Sequence, residues 1–274
     1  MNFFTEREMS EHRELLVRMR QILYMAREFE RIRHLNDDFG YTPDGRVFKL
    51  KRETINCLES IVSGNILDVK HHIMNNHYDI YTHYRWLGVQ LAVINNHVNL
   101  VVFLSIFINF NALSYVIAKY ASPSLFNKLI KIPYMRGLAD YPYEQFFETE
   151  EEAELVVKQI KGHPLRNWNN RYPVSVSNVY HNLMHEYYLA IDKQNRIKNS
   201  RLSPLDSNLL VESSLANVNI DLMDYIEKTY EPEHYMIKDE NIQTNKDLLR
   251  VNYERIKENN NIRNYYELYM EDET

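Results

Sequence analysis

The sequence predicts an all-α protein: an array of helix–turn–helix units, preceded by an N-terminal capping helix and followed by further helices. Apolar residues recur at intervals of three and four along most of the chain, which is the period of a helix. Between residues 54 and 132, apolar segments of about ten residues alternate with short polar breaks, a rhythm typical of paired short helices. Six glycines and eight prolines are few for the many tight turns of a β-sandwich or barrel.

Residues 1–50 predict an N-terminal helix followed by a turn. From residue 1 to residue 35 the apolar side chains form one stripe, with Glu and Arg between them. Glu14 and Arg18 are spaced to pair on the surface of this helix. Residues 40–45, Gly-Tyr-Thr-Pro-Asp-Gly, carry the strongest turn signal in the chain. The stripe consists of Leu15, Leu16, Met19, Ile22, Leu23, Ala26, Phe29 and Ile32.

Residues 51–135 contain an internal repetition. The segments Gly64–Lys70 and Asn96–Val102 follow a similar pattern, one after the other along the chain. An apolar second helix is predicted after each segment, and an Asn then stands where the chain must turn, at Asn76 and Asn109. Residues 113–130 are a candidate third copy that lacks part of its hairpin. The pattern therefore predicts helix pairs of similar length, stacked side by side.

One of these copies resembles a known repeat. Residues 91–104, Leu-Ala-Val-Ile-Asn-Asn-His-Val-Asn-Leu-Val-Val-Phe-Leu, resemble an ankyrin repeat, with a first helix, an Asn-Gly-His-like turn and a second helix. Residues 55–79 resemble it more weakly, and residues 215–223 are a candidate degenerate copy. Two features depart from the family: residues 87–90, Leu-Gly-Val-Gln, replace its Thr-Pro-Leu-His opening, and Asn replaces its hairpin glycines. A different all-α array is the other interpretation of the pattern.

The resemblance implies a protein-binding function. In ankyrin proteins neighbouring helix pairs stack into a continuous core, and the first helices and hairpin tips line an extended concave surface that holds other proteins. Degenerate ankyrin repeats in an Asn- and Tyr-rich chain also resemble those of bacterial effectors and of viral proteins directed at host cells. The resemblance therefore implies a protein partner, which would be a host protein if the chain is such an effector.

Two clusters of aromatic and basic residues are candidates for the contact with that partner, because Tyr, Trp and Arg are enriched at binding hot spots. Trp86, in the first cluster, is equally compatible with a place in the core. The first cluster lies between the two best repeats and consists of Tyr81, Tyr84, Arg85 and Trp86. The second cluster precedes a helix whose predicted N-cap is Ser177, and it consists of Arg166, Trp168, Arg171 and Tyr172.

Residues 136–274 predict a C-terminal helical region, with helices at 151–161 and 219–229 among others. The acidic run Glu148–Glu154 lies near its start and is predicted to be solvated. Because this half is less repetitive, an enzyme is the alternative function, with an active site here and the repeats as a targeting arm. A structural or oligomer-forming role is a third possibility.

Residue patterns that would indicate chemistry are weak, and we predict neither a bound metal nor a cofactor. His181 and His185 share one helix face, but Glu186 follows them instead of standing between them as in zinc proteases. Cys57 would need a nearby histidine to act as a nucleophile, and it occupies a position where a buried residue is expected. The other clustered histidines lack zinc-finger spacing: His71, His72, His77, His83 and His97.

Charge and composition limit the class of partner and the compartment. A formal net charge of −6 argues against a nucleic-acid binder. One cysteine permits no disulfide within the chain, which fits a reducing compartment such as the cytoplasm or a host cytosol. The N-terminus has no signal-peptide pattern. The longest apolar run, Leu100–Ile108, is about half the length that spans a bilayer, so the sequence predicts no membrane span.

Overall fold

The fold is helical throughout the part of the chain that can be described. The computed structural model describes residues 6–26, 51–75, 84–108, 110–161, 174–198, 218–231 and 234, and these contain no β-strand. The all-α prediction is confirmed for these residues. None of the described helices is both long enough and apolar enough to cross a membrane.

The helices are numbered in chain order, and a 3₁₀ turn at Ser105–Phe107 follows the fifth. Their bounds are α1 Glu6–Met25, α2 Arg52–Ser63, α3 Ile66–Met74, α4 Tyr84–Ile94, α5 Val98–Leu104, α6 Phe110–Tyr120, α7 Pro123–Leu129, α8 Tyr143–Phe146, α9 Glu150–Lys161, α10 Val176–Lys198 and α11 Ile220–Thr229.

The chain divides into two compact units, Met1–Val174 and Ser175–Thr274. The first unit holds α1 to α9 and the second holds α10 and α11. The division predicted at residues 50 and 135 followed the repeat pattern and not packing, and it stays a prediction.

Helix α1 packs on α2 through the apolar stripe that the sequence indicates. Of that stripe, Leu15, Leu16, Met19, Ile22, Leu23 and Ala26 are buried, while Phe29 and Ile32 lie outside the described residues. Arg18 fixes the contact, because its guanidinium donates to both carboxylate oxygens of Glu59, at 2.8 and 2.6 Å, and to Asn56 Oδ1 at 2.7 Å. The predicted pair with Glu14 is also present, at 3.9 Å.

Helices α2 to α7 pack together, and we call α2, α4 and α6 the first helices and α3, α5 and α7 the second helices. The first helices of the pairs, α2, α4 and α6, pack side by side, with α1 against α2. The second helices pack against this row or against each other: α3 on α2, α5 on α4 and α7 on α5. The largest fully buried side chains come from both the first and the second helices, and they include Phe103, Phe126, Leu58, Leu91 and Leu113. Burial of large apolar side chains between short helices is the main source of stability for such a stack.

The helices of the first two pairs are joined by turns with the same geometry. Gly64 has φ +80° and Asn96 has φ +59°, a left-handed conformation that Gly adopts freely and Asn tolerates better than most residues. In both turns, two N–H groups bond back to carbonyl groups of the preceding helix, as in a Schellman cap. The bonds run from Gly64 to Ile61 and from Asn65 to Ser60, and then from Asn96 to Val93 and from His97 to Ala92.

The segment 130–149 covers one side of the stack with aromatic side chains. The Tyr134 ring packs on Phe110, the first residue of α6, with centroids 5.4 Å apart. Phe146 packs on Phe103 of α5 at 5.5 Å. The Tyr141 hydroxyl donates to the Phe103 carbonyl at 3.2 Å, and burial raises the pKa of this tyrosine. These contacts hold the segment against the start of α6 and the end of α5.

Helix α9 is fixed to α3 through its first turn. Thr149 Oγ1 accepts from the Glu152 N–H at 3.2 Å, and Glu152 reaches back to the Glu148 N–H at 3.0 Å, an arrangement similar to a capping box. Glu152 also pairs with Lys70 of α3 at 3.2 Å. The acidic run is therefore not wholly solvated as predicted: Glu152 is half-buried and bound, whereas its acidic neighbours are exposed.

The second unit consists, in its described part, of α10 packed on α11. The predicted cap Ser177 is wrong, because Ser175 Oγ accepts the Asn178 N–H at 3.0 Å and α10 begins at Val176. The Tyr180 hydroxyl of α10 donates to Glu227 of α11 at 2.5 Å. Tyr187, Ala190 and Val218 form a small buried core in this unit.

Candidate partner-binding face

Hydrogen bonds join the turns α2–α3, α4–α5 and α6–α7 in succession. His97 Nε2, in the second turn, donates to the Val62 carbonyl at the end of α2, at 2.8 Å. Ser122 Oγ, which caps α7 in the third turn, donates to Asn96 Oδ1 at 2.6 Å. Each turn thus contacts the one before it. The ends of α2, α4 and α6 therefore lie side by side, and we call this side of the stack the turn end.

The opposite side of the stack, which we call the open end, follows from the same bonds. If α2, α4 and α6 finish together at the turn end, they run parallel, and their N-termini lie together at the other side. Their lengths of 12, 11 and 11 residues correspond to about 16–18 Å each, so these N-termini are nearly level. The C-termini of α3, α5 and α7 return to the same side. The segment 130–149 lies here too, because it packs on the first residue of α6.

Three residues of the first predicted contact cluster lie at the start of α4, at the open end. Tyr84 and Arg85 form the first turn of α4, and Trp86, which follows them, is half-buried. Trp86 is thus neither fully in the core nor fully exposed. Tyr81 lies outside the described residues, and so does the whole second cluster: Arg166, Trp168, Arg171 and Tyr172. That either cluster contacts a partner stays a prediction.

The turn end contains contacts that the sequence analysis missed. The ring of His97 lies so close to Gly64 that a Cβ atom added there would be 2.8 Å from His97 Cε1. Gly64 is therefore required both for its positive φ and for this close approach. The available signal in the sequence is a Gly in the first turn and a His at the end of the second. His97 consequently has a structural role between two helix pairs.

Burial makes Cys57 a poor candidate for a nucleophile. Cys57 is fully buried in α2, and burial raises the pKa of its thiol well above the ordinary value. The prediction that Cys57 is a buried residue is confirmed, and a thiol with a raised pKa is a poor nucleophile at neutral pH. His71 is exposed and His72 is half-buried on α3, whereas His77 and His83 lie outside the described residues.

The candidate metal ligands of α10 lie on one face of that helix. His181 and His185 are both exposed, one helical turn apart, and Glu186 beside them is half-buried. Across the described residues, no group of three or more His, Cys, Asp or Glu side chains is placed to hold a metal ion. Two exposed histidines on one helix have the spacing for two ligands, but a zinc site ordinarily takes three or four protein ligands.

Comparison with known proteins gives no relative from which to transfer a function. No family model matches the chain, and neither does any curated protein or solved structure that was compared.

Proposed function

We propose that this chain is a protein-binding module, an ankyrin-like array of helix pairs that holds a partner protein at the open end of the stack. The N-terminal ends of the first helices α2, α4 and α6 would form the contact surface. Tyr84, Arg85 and Trp86 at the start of α4 would be its central contacts, because aromatic and Arg side chains dominate most protein interfaces.

The recurrence of one turn geometry in successive helix pairs is the observation that carries this proposal. Gly64 and Asn96 share a positive φ, and each turn contains the same two hydrogen bonds to the preceding helix. The side-by-side packing of α2, α4 and α6, with α3 on α2 and α5 on α4, supports the proposal because stacked repeats pack in this way. Such arrays present long, rigid surfaces, which suits the holding of another protein.

Affinity capture from a eukaryotic cell lysate tests the proposal. Wild-type protein is compared with the variant Tyr84→Ala/Arg85→Ala, and bound proteins are identified by mass spectrometry. We expect one or more partners to be retained by the wild type and reduced at least about tenfold by the variant, as for the loss of hot-spot residues. Circular dichroism and thermal melting check that the variant is folded.

The variant His181→Ala/His185→Ala provides a matched control. It removes two exposed side chains from α10 of the second unit. It should capture the same partners as the wild type. If this control loses the partners and the α4 variant retains them, the contact surface lies in the second unit and the proposal is wrong.

A further inference from the structure

Charge is distributed unevenly along this chain. No Asp or Glu occurs between Asp79 and Asp140, although this stretch holds five basic residues. The rest of the chain holds all 38 acidic residues but only 27 basic residues, the 32 of the whole chain less these five. The section from α4 to the segment after α7 is therefore positively charged within a chain whose net charge is −6. Its basic residues are Arg85, Lys119, Lys128, Lys131 and Arg136.

Three of these cations are exposed at the open end. Lys128 lies in the last turn of α7, Lys131 follows that helix closely, and Arg136 lies in the compact turns after it. Backbone bonds hold these turns together, with the Lys131 N–H on the Lys128 carbonyl at 3.2 Å and the Arg136 N–H on the Pro133 carbonyl at 3.1 Å. Helix α7 starts at the turn end, so its last turn brings these residues to the open end.

These three cations are not neutralised within the described structure. None of them forms an ion pair there, although Asp140 and Glu144 are exposed a few residues further along. The dipole of α7 accounts for Lys128, because a cation stabilises a helix C-terminus. It does not account for Arg136, or for the absence of acidic residues over the whole section. Leu138, two residues after Arg136, adds an apolar side chain that is 67% exposed.

We propose that the open end binds an acidic polypeptide segment, which Lys128, Lys131 and Arg136 contact. This inference rests on the proposed protein-binding function and adds the chemistry of the partner. Complementary charge across an interface raises the rate of association and disfavours partners of the wrong sign. Leu138 would contact an apolar residue within or beside the acidic segment.

The charge distribution favours a polypeptide over a nucleic acid or a membrane. Three exposed cations are few compared with the roughly six to ten phosphate contacts of a strong nucleic-acid site. A long polyanion or an anionic bilayer would also be repelled by the acidic remainder of this chain. A short acidic segment avoids most of that repulsion, because salt screens charges beyond about 8–10 Å.

Fluorescence anisotropy with the full chain tests the inference. The probe is a fluorescein-labelled peptide of alternating Glu and Ser residues with one Leu, and a Lys/Ser peptide of equal length is the comparison. We expect the wild type to bind the acidic peptide at low salt, and binding to weaken severalfold at high salt. The variant Lys128→Glu/Lys131→Glu/Arg136→Glu should reduce the affinity at least about tenfold.

A second triple variant controls for total charge. Lys193→Glu/Arg196→Glu/Lys228→Glu changes the net charge equally, but at exposed positions of the second unit. It should bind the acidic peptide within about twofold of the wild type, because these sites are distant in sequence and exposed. Equal loss in both variants, or no binding of the acidic peptide by the wild type, would overturn the inference.

Two further arms separate partner classes. If a DNA duplex or a phosphatidylserine vesicle binds more tightly than the acidic peptide and depends on the same three residues, the partner is not a polypeptide and the inference is wrong. If the acidic peptide fails to bind while the Tyr84→Ala/Arg85→Ala variant still loses its captured partner, the protein-binding function is supported. Only the inference that the partner segment is acidic is then wrong.

Discussion

At the scale of single residues, the absence of a side chain at Gly64 lets the ring of His97 approach the first turn closely. Any other residue would have to hold φ near +80° and would also place its Cβ against the ring of His97. The first requirement costs about 1–2 kcal/mol for an ordinary residue. The second is separable from the first, because it depends on His97 being present.

We expect Gly64→Ala to lower the free energy of unfolding by about 2–3 kcal/mol, the sum of a conformational cost and a steric one. In a His97→Ala background the same change should cost only about 1–2 kcal/mol, because the ring that the Cβ meets is gone. Urea unfolding of the four proteins in this cycle gives both values.

Gly137 provides the matched control for that cycle. It also has a positive φ, +68°, but it is exposed. Gly137→Ala should therefore show the conformational cost and no coupling to His97. If Gly64→Ala costs the same with and without His97, the close contact between the two turns is not present in solution.

The N-cap of α10 is a feature that the local sequence could not predict. Ser175 and Ser177 both precede a run of helical period, and serine is a good N-cap at either position. The sequence pattern indicated Ser177, whereas the bond to the Asn178 N–H selects Ser175. Which serine caps the helix depends on where the backbone turns into it. That position is set by packing with other parts of the chain, which a local sequence pattern does not contain.

At the scale of elements, Glu152 both caps its own helix α9 and forms an ion pair with Lys70 of α3. The hydrogen bond from the Glu148 N–H, and then Lys70, hold the pKa of Glu152 below its ordinary value, while partial desolvation opposes them. A carboxyl group with a lowered pKa in the folded state stabilises that state above its unfolded pKa. The stabilisation is lost as the pH falls through the lower, folded value.

We expect Glu152→Gln to destabilise the protein by about 0.5–1 kcal/mol at pH 7, as for a partly exposed ion pair. Below about pH 4 the difference between the variant and the wild type should disappear progressively, since Glu152 becomes protonated in both folded and unfolded wild type. Urea unfolding at pH 7 and below about pH 4 measures this difference in stability. Hydrogen exchange shows whether α9 is the helix that loses protection.

Glu151→Gln controls for the helix dipole, because Glu151 lies in the same turn but is exposed. It should cost only a few tenths of a kcal/mol. An equal effect of both substitutions would mean that the pair with Lys70 contributes nothing.

At the scale of the whole molecule, the two compact units each hold their own buried core. In the second unit Leu222 of α11 is fully buried, and in the first unit Leu113 of α6 is fully buried. We expect Leu222→Ala to cost about 2–5 kcal/mol, through lost burial and a cavity. Hydrogen-exchange mass spectrometry should show lower protection in α10 and α11, with α2 to α7 unchanged.

Leu113→Ala is the reciprocal variant and should lower protection in α2 to α7 alone. Loss of protection in both units from either substitution would mean that the chain unfolds as one cooperative body.

The spacing of apolar residues predicts individual helices, but it does not identify the contacts that order them. Spacing of three and four places the stripe of α1 and the helices of the pairs, because that period is local. The bonds that order the pairs join His97 to Val62 and Ser122 to Asn96, at separations of 35 and 26 residues. A shared surface at the open end could likewise not be predicted, since α4 and the turns after α7 reach it from distant parts of the chain.

The bonds along the turn end also bear on the order in which the array forms. They join only neighbouring turns, and the entropic cost of closing a loop rises slowly with its length, so each bond can form at a modest cost. Among the three described turns, the one with Asn96 and His97 is bonded on both sides. We therefore expect the α4–α5 hairpin to be the nucleus of folding. From it, structure would spread towards α2 and α7 in turn, with each finished pair a template for the next.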